Sequence, residues 1–388
     1  MKVIYALQPF PKSFRKAIFL VGPTPRIDKK TGKPTAPSWR PEALRILRSK
    51  KYDGVVFVPE TQDKVWKHEY DDQIRWETEG LRLADRIVCW VPRDLKTMPA
   101  FTTNHEHGAW YRSGKTVLGA PPDAPKMRYL QSLGAEVFEP QAETLEATID
   151  LALAGIGEGA FRAGGETHVS IDVWRTPSFQ AWYRAQLAAG NRLDGARVEW
   201  TFRVGPRRQI VFAWALHVDV HVASEGRNKS NEVVLGRPDI SSVVLHGPGR
   251  GLDTDIVLVK EFRSTGASPD GFVHEVPGGS SFKTTETPAV LAADEVREET
   301  GLDLKADRIV VRQVRQLNAT FSSHRAHLFS AQLTEDELAS LRECEGQTFG
   351  EDGSSERTYV EVRTLGDILR KGDVDWANLG MILSVVQS

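Results

Sequence analysis

Residues 84–123, ADRIVCWVPRDLKTMPAFTTNHEHGAWYRSGKTVLGAPPD, decide how the first half of this chain folds. Two short apolar runs in this stretch, RIVCWVP and KTVLGA, have the length and the branched side chains of buried strands. The segment between them, EHGAWYRSG, has apolar residues at helical spacing. A strand, a helix and a second strand in this order predict two parallel strands joined by a helical crossover.

The same alternation extends from residue 17 to residue 153. Further apolar runs have the strand pattern, and amphipathic segments separate them. The runs are AIFLVG, GVVFVP and AEVFEP, and the segments are RPEALRILRSK, DDQIRWETEGLRLAD, PKMRYLQSLG and AETLEATIDLALAG. Strands that alternate with helices predict an α/β fold, in which helices cover both faces of a parallel sheet. We therefore predict a flavodoxin-like N-terminal domain over residues 1–157.

A glycine-rich stretch, GIGEGAFRAGGET at residues 155–167, follows this domain and is the best linker candidate in the chain. Beyond it the pattern changes to longer β-type runs, such as RVEWTFRV and QIVFAWALHVDVHV. Helical segments come later. We predict a second, α+β domain over residues 166–388.

Composition excludes several classes of protein. The formal net charge of −2 over 388 residues argues against a broad nucleic-acid surface. No apolar run approaches the roughly 18 residues of a membrane span, and AIFLVG is too short for the core of a signal peptide. The two cysteines, Cys89 and Cys344, fit no metal or redox spacing. We expect a cytoplasmic protein with free thiols, without nucleic-acid or membrane partners.

The second domain contains a carboxylate-rich helix behind a glycine turn. The turn is formed by Pro277, Gly278 and Gly279, and the helix includes LAADEVREETGL at residues 291–302. Three glutamates, at positions 295, 298 and 299, can share one helix face because they are three and four residues apart. Clustered oxygen ligands suit Mg²⁺ or Mn²⁺. The alternative interpretation is a solvated acidic face, which charge runs usually are.

This stretch resembles the Nudix box, in which a glycine and a glutamate precede Arg-Glu-x-x-Glu-Glu-x-Gly. The resemblance implies an α/β/α sandwich and metal ligation by Glu295 and Glu299, with Glu298 assisting and the Gly278 carbonyl nearby. Two departures are visible. Six residues instead of five separate Gly279 from Glu286, and Asp294 stands where the family has arginine.

The surroundings of the box resemble Nudix enzymes that cleave ADP-ribose-like substrates. The matching strands are DIVLVKEFRSTG and HLFSAQL. In such enzymes a glutamate from a late loop often serves as general base or extra metal ligand. The loop TFGEDGSSERTYVEV offers Glu351 and Glu356 for this role, and we favour Glu356. Arg263 binds a phosphate in one interpretation and is an exposed strand-end charge in the other.

The N-terminal domain has polar and turn-forming residues where its predicted strands end. Ligands of open parallel sheets bind beyond the carboxyl ends of the strands, and Gly22 and Pro23 follow the first of these ends. A long loop after RIVCWVP leads to Glu106, which we expect at the start of a helix. There the helix dipole would stabilise the ionised carboxylate, as a nucleophile requires.

These pieces resemble the nucleoside 2-deoxyribosyltransferase-like family. The matching pieces are IFLVGP, SWRPEAL, DGVVFVPE, YDDQIRWE, ADRIVCWVPR, TTNHEHGAW and GKTVLGAPPD. The resemblance implies that Glu106 attacks the anomeric carbon of a nucleoside. Asp85, or one of Asp72 and Glu77, would then position the sugar hydroxyls or protonate the leaving base. Asn104 would bind a sugar or phosphate, or would cap the helix.

One departure from this family concerns transfer. The acidic residue that many members carry shortly before the nucleophile is replaced by AFTT, so hydrolysis is as plausible as deoxyribosyl exchange. Together the two resemblances imply a bifunctional enzyme of nucleotide metabolism with a nucleoside or nucleotide substrate and Mg²⁺ or Mn²⁺ as cofactor. Both families often form dimers, which makes a homodimer a candidate assembly. The competing hypothesis is a nucleotide sensor with a degenerate Nudix domain.

Overall fold

The structure, a computed structural model, describes residues 1–28, 30–62, 69–280, 288–350 and 357–387. The chain folds into two compact units, Met1–Leu235 and Gly236–Ser388. The boundary between these units, at residues 235 and 236, lies later in the chain than the boundary predicted from the sequence. The predicted limits of the two functional domains, 1–157 and 166–388, stay a prediction.

The first unit is built on a parallel sheet. Its strands are β1 (Lys2–Tyr5), β2 (Ser13–Phe14), β3 (Ala17–Val21), β4 (Val55–Val58), β5 (Arg86–Trp90), β6 (Thr116–Gly119), β7 (Gln141–Ala142), β8 (Arg162–Ala163), β9 (Arg192–Val204), β10 (Ile210–Val222) and β11 (Arg227–Gly236). Six of them form one sheet in the order β1–β4–β3–β5–β6–β7, and all of its pairings are parallel. Without β1 this is the flavodoxin-like strand order, whose switch point lies between β3 and β5.

Helices cover both faces of this sheet, as the sequence predicts. They are α1 (Arg40–Ser49), α2 (Tyr70–Leu83), α3 (Phe101–Trp110), α4 (Arg128–Glu136) and α5 (Leu145–Ile156), followed by α6 (Ile171–Trp174) and α7 (Pro177–Ala188). Alternate side chains of β3 lie in two different hydrophobic clusters. Phe19 packs with Trp76 of α2 and Leu130 of α4, whereas Leu20 packs with Leu47 of α1. The α/β prediction is confirmed, and Trp76 is a core residue.

The segment predicted as a linker, residues 155–167, is part of the first unit. Arg162 lies in β8, which pairs with β2, and its guanidinium is fully buried. This guanidinium donates to the Oδ2 of Asp85 over 2.7 Å. A Cβ at Gly165 would lie 2.3 Å from the backbone carbon of Asp194, so glycine permits a close backbone approach here. Gly165 therefore reflects packing.

A three-stranded sheet, in the order β11–β10–β9, completes the first unit. One face packs on α7, where Trp214 and Phe179 are both fully buried. Asp172 of α6 accepts hydrogen bonds from Arg86 over 2.9 Å and from Arg203 over 2.8 Å. Because Arg86 belongs to β5 and Arg203 to β9, this carboxylate joins the parallel sheet to the three-stranded one.

The second unit has a mixed sheet between two layers of helices. Its elements are β12 (Ile240–His246), β13 (Asp255–Phe262), β14 (Phe272–Glu275), β15 (Gly278–Gly279), α8 (Pro288–Thr300), β16 (Val310–Gln316), β17 (Arg325–Gln332), α9 (Glu335–Glu343), β18 (Thr348–Phe349), β19 (Thr358–Thr364), α10 (Leu365–Lys371) and α11 (Trp376–Val386). The main strand order is β16–β17–β12–β13–β19–β18, with β12 and β17 parallel. Helices α8 and α9 cover one face, and α10 and α11 cover the other. This layer order agrees with the expected sandwich but does not identify a family.

None of the helices in these described ranges is long and apolar enough to cross a membrane.

Candidate active site

The carboxyl edge of the parallel sheet gathers residues that are far apart in the sequence. Gly22 and Pro23 follow β3, Glu60 follows β4, and Arg93 follows β5. A Cβ at Gly22 would lie 2.2 Å from the carbonyl oxygen of Trp90, so only glycine fits where β3 and β5 meet. The crevice at the switch point therefore depends on this glycine.

Arg40, at the start of α1, holds this edge together. Its side chain is only 2% exposed. The guanidinium donates to the carbonyl of Gly22 over 2.7 Å and to the Oε1 of Glu60 over 2.6 Å. It also donates to the hydroxyl of Thr24 over 3.2 Å. Arg40 thus fixes the loop after β3 to the end of β4, a role that no pattern in the sequence indicates.

Glu77 lies on α2 and faces the same edge. The amide of Gln73, one turn earlier on α2, donates to the Oε1 of Glu77 over 2.6 Å and to the carbonyl of Pro59 over 3.4 Å. Gln73 is buried, with 3% of its surface exposed. This amide therefore orients the Glu77 carboxylate relative to the end of β4.

Glu106 lies in the middle of α3, which corrects the prediction that it starts a helix. The helix begins at Phe101, after Ala100 in a left-handed conformation with a φ of 63°. The amide N–H of Asn104 already donates to the carbonyl of Ala100 over 3.1 Å. Residues 102–104, TTN, are typical of helix caps, but here they form the first turns because the chain reverses at Ala100.

Because Glu106 lies within α3, the dipole at the helix start does not lower its pKa, and the pKa is raised. Burial, together with the charge of Glu77, raises the pKa of Glu106 to about 7, and the charge of Arg40 opposes the rise. Burial also raises the pKa of Glu77, against the hydrogen bond from Gln73. Two neighbouring carboxylates with raised pKa values can share one proton near neutral pH. Such a pair can supply an acid and a nucleophile at once.

Asn104 of α3 is held by Arg93, which follows β5. The Arg93 guanidinium donates to the Oδ1 of Asn104 and, over 3.0 Å, to the carbonyl of Lys126. Arg93 is buried, whereas Asn104 is exposed. The Asn104 side chain does not cap α3, because its oxygen is bound to Arg93. Its amide nitrogen is the part that can reach a ligand.

Two other predicted residues are not brought to this edge. Asp72 is exposed on α2 and pairs with Arg75 one turn away. Asp85 immediately precedes β5, so it lies at the amino edge of the sheet, fully buried and bonded to Arg162 and to the N–H of Ala17. The structure thus corrects the catalytic role predicted for Asp85, because a strand's amino end is opposite the ligand crevice.

In the second unit, two carboxylates of α8 approach the glycine turn. The N–H of Gly278 donates to the Oε2 of Glu299 over 2.9 Å. A Cβ at Gly279 would lie 2.6 Å from the Oε2 of Glu295, so the absence of a side chain makes room for this carboxylate. Glu299 is 6% exposed. Two carboxylates beside one peptide segment form an oxygen-rich donor set that fits a hard divalent cation.

Three further residues singled out in the sequence of this unit are Glu298, Asp294 and Arg263. Glu298 is exposed on α8. Asp294 pairs with Arg297 over 2.9 Å on the same helix. The Arg263 guanidinium lies 2.7 Å from a carboxylate oxygen of Glu261 and 3.4 Å from one of Glu275, so two ion pairs fix its position.

Three glutamates singled out in the sequence lie outside the described residues. They are Glu286 of the Nudix-like motif, Glu351, and Glu356, the predicted general base. Within the residues that the structure describes, no three His, Cys, Asp or Glu side chains come together as a metal-binding group. The described donors are therefore the carboxylates of Glu295 and Glu299 and the neighbouring backbone.

The first unit is an α/β domain whose parallel sheet has Arg40, Glu60 and Glu77 at its carboxyl edge. A family model described as "Nucleoside 2-deoxyribosyltransferase like" matches residues 15–124. This part of the chain is a nucleoside 2-deoxyribosyltransferase-like domain, as the resemblance predicted. A search of curated proteins finds no match.

Proposed function

We propose that the N-terminal domain cleaves or exchanges the N-glycosidic bond of a nucleoside or nucleotide, with Glu106 as the nucleophile. The observation that supports this proposal is the pair of Glu106 and Glu77 at the carboxyl edge of the sheet, where burial raises both pKa values. The family match to residues 15–124 supports the same substrate class.

The chemistry requires one nucleophile and one acid. The Glu106 carboxylate bonds to the anomeric carbon of the sugar as the bond from that carbon to the base nitrogen breaks. Protonated Glu77 gives its proton to the departing base. Water then attacks the anomeric carbon, returns a proton to Glu77 and releases Glu106. If a second base attacks in place of water, the reaction is a transfer.

The direct test is a product assay by liquid chromatography on a panel of nucleosides, nucleotides and NAD. We expect release of free base, with the sugar product appearing either as the hydrolysed sugar or, when a second base is added, as a new nucleoside. If the wild-type chain releases no base from any of them while calorimetry shows tight nucleotide binding, the protein is a sensor and the proposal fails.

The pH dependence of this reaction follows from the raised pKa of Glu106. The nucleophile must be ionised and the acid protonated, so kcat/KM should rise with pH through about 7 as Glu106 ionises and fall again at higher pH, where Glu77 loses its proton. Glu77→Gln removes both the acid and the repelling charge, so base release should slow, and the rising limb of the remaining rate should move to lower pH. Rates of base release between pH 5 and pH 9 measure the shift.

The matched control for this shift is Glu79→Gln. Glu79 lies on the same helix, but it pairs with His168. We expect its replacement to leave the limb in place. A rate that falls as pH rises through 7 would mean that Glu106 acts as the protonated acid.

We further propose that the second unit hydrolyses the pyrophosphate of a nucleoside diphosphate derivative such as ADP-ribose. The approach of Glu295 and Glu299 to Gly278 and Gly279 supports this proposal. These carboxylates would hold Mg²⁺ or Mn²⁺, which neutralises pyrophosphate charge when bound. Arg263 would bind a phosphate, and Glu356 is proposed as the base. Glycosidic cleavage of NAD in the first domain would supply ADP-ribose to the second unit.

For pyrophosphate cleavage, Glu299→Gln should lower kcat by at least about 100-fold because it removes a ligand charge and keeps the side-chain shape. Asp294→Arg should leave kcat within about threefold, since Asp294 pairs with Arg297 on the helix surface. AMP production from ADP-ribose, with Mg²⁺ and with EDTA, gives the measurement. Full activity of Glu299→Gln would refute the metal assignment, and loss of activity in Asp294→Arg would give Asp294 a functional role.

A further inference from the structure

A second cavity in the first unit lies at the amino edge of the parallel sheet. Its volume is about 520 Å³. Phe10 and Pro11 precede β3, and Leu83 ends α2 directly before β5, so this cavity is at the end of the sheet opposite Glu106. Together with Phe161 these residues form an apolar wall. We call this cavity the amino-edge groove.

A polar pair forms another part of the groove. The Nε2 of His168 lies 2.8 Å from the Oε1 of Glu79, and both side chains remain partly exposed, at 29% and 34%. Arg82 lies 3.8 Å from the other carboxylate oxygen of Glu79. The Nδ1 of His168 is buried without a hydrogen-bond partner among the described residues. The pair therefore offers polar groups beside an apolar wall, which is the usual composition of a small-molecule site.

The groove also exposes an aromatic ring and a cation to solvent. Phe161 is 60% exposed, so its ring is accessible to a ligand. Lys12 is exposed on the same groove. An exposed ring can stack on a planar base, and an ammonium group can bind a phosphate.

We propose that the amino-edge groove binds a purine nucleoside 5′-monophosphate at a site separate from Glu106. The base stacks on Phe161 or Phe10, the phosphate binds Lys12, and the pair of Glu79 and His168 binds ribose hydroxyls. A cavity of about 520 Å³ is within the range of small-molecule sites. The choice of a nucleotide rests on the proposed function of the N-terminal domain.

Helix α2 connects this groove to the active site. Glu79 lines the groove, and Glu77, two residues earlier, belongs to the carboxyl edge. Phe10 of the groove stacks on Trp76, with ring centroids 5.2 Å apart and an interplanar angle of 16°. A ligand in the groove therefore contacts the same helix that positions the acid of the proposed reaction, and it should slow hydrogen exchange of α2.

The test is titration calorimetry of the full chain with AMP, with adenosine and ribose 5-phosphate as probes that lack the phosphate or the base. We expect Phe161→Ala to raise the Kd for AMP by at least about fivefold, and Lys12→Ala by about threefold. Adenosine should be insensitive to Lys12→Ala. Base release should be unchanged in both variants, because neither residue lies at the carboxyl edge.

Three results would overturn the proposal: no AMP binding, an AMP affinity that none of the groove variants changes, or adenosine binding that depends on Lys12 as AMP binding does. Because the Phe161 side chain is exposed, we expect Phe161→Ala to fold normally. Hydrogen exchange of β3 and β5 checks this folding independently of ligand binding. A chain that binds AMP through Phe161 but releases no base would refute the proposed glycosidic activity and leave the groove proposal standing.

Discussion

Glu106→Gln is expected to lower kcat for base release by at least about 10³-fold, because the amide cannot form the bond to the anomeric carbon. The same variant should not lose stability. The pKa of Glu106 in the folded chain is raised to about 7, so the ionised form disfavours folding, and the wild type loses stability as pH rises from about 4.5 to about 7. Glutamine lacks this penalty, so the variant should be the more stable protein at pH 8.

Steady-state rates and urea unfolding at pH 5 and pH 8 test both parts. The matched control is Glu136→Gln, which removes an exposed carboxylate paired with Arg112. This control should change neither the rate nor the free energy of unfolding by a measurable amount. A Glu106→Gln variant with wild-type kcat would remove Glu106 from the reaction altogether.

Asp85→Asn is expected to lower the free energy of unfolding of the first unit by about 3–5 kcal/mol, since it leaves the Arg162 guanidinium buried without its counter-charge. Both side chains of this ion pair are 0% exposed. Urea unfolding followed by circular dichroism gives the magnitude. Hydrogen exchange of peptides from β3 and β5 assigns the affected transition to the first unit.

Replacing both partners is the informative control for this ion pair. In Asp85→Leu combined with Arg162→Met, neither charge of this pair remains, so much of the lost stability should return. Removing the pair should leave kcat for base release nearly unchanged in chains that remain folded. A stable Asp85→Asn chain without activity would restore the catalytic role that the sequence predicted for Asp85.

The carboxyl edge of the sheet could be predicted largely from the sequence. Apolar runs located the strands, and the rule that ligands bind beyond their carboxyl ends selected Gly22, Pro23 and Glu106. The same rule excludes Asp85, because this residue precedes the run RIVCW and therefore lies at the other end of the strand. The position of Asp85 before the strand is thus readable from the sequence alone.

Arg40 could not be predicted in the same way. An arginine at the start of an amphipathic helix is usually a solvated charge, and its burial here depends on Gly22 and Glu60, about 20 residues away on either side. The start of α3 was also missed, because cap-forming residues indicated a later start than the reversal at Ala100. Interactions that depend on chain segments distant in sequence leave no local pattern.

The ion pair of Asp85 and Arg162 extends beyond the segment that matches the family. The family match ends at residue 124, yet a charge inside the matched segment is neutralised by a side chain 77 positions further on. Asp172 likewise ties Arg86 to Arg203. The matched stretch, residues 15–124, is therefore shorter than the stretch whose buried charges pair with one another. Residues 15–124 transplanted into another protein would carry the Asp85 carboxylate without its counter-charge.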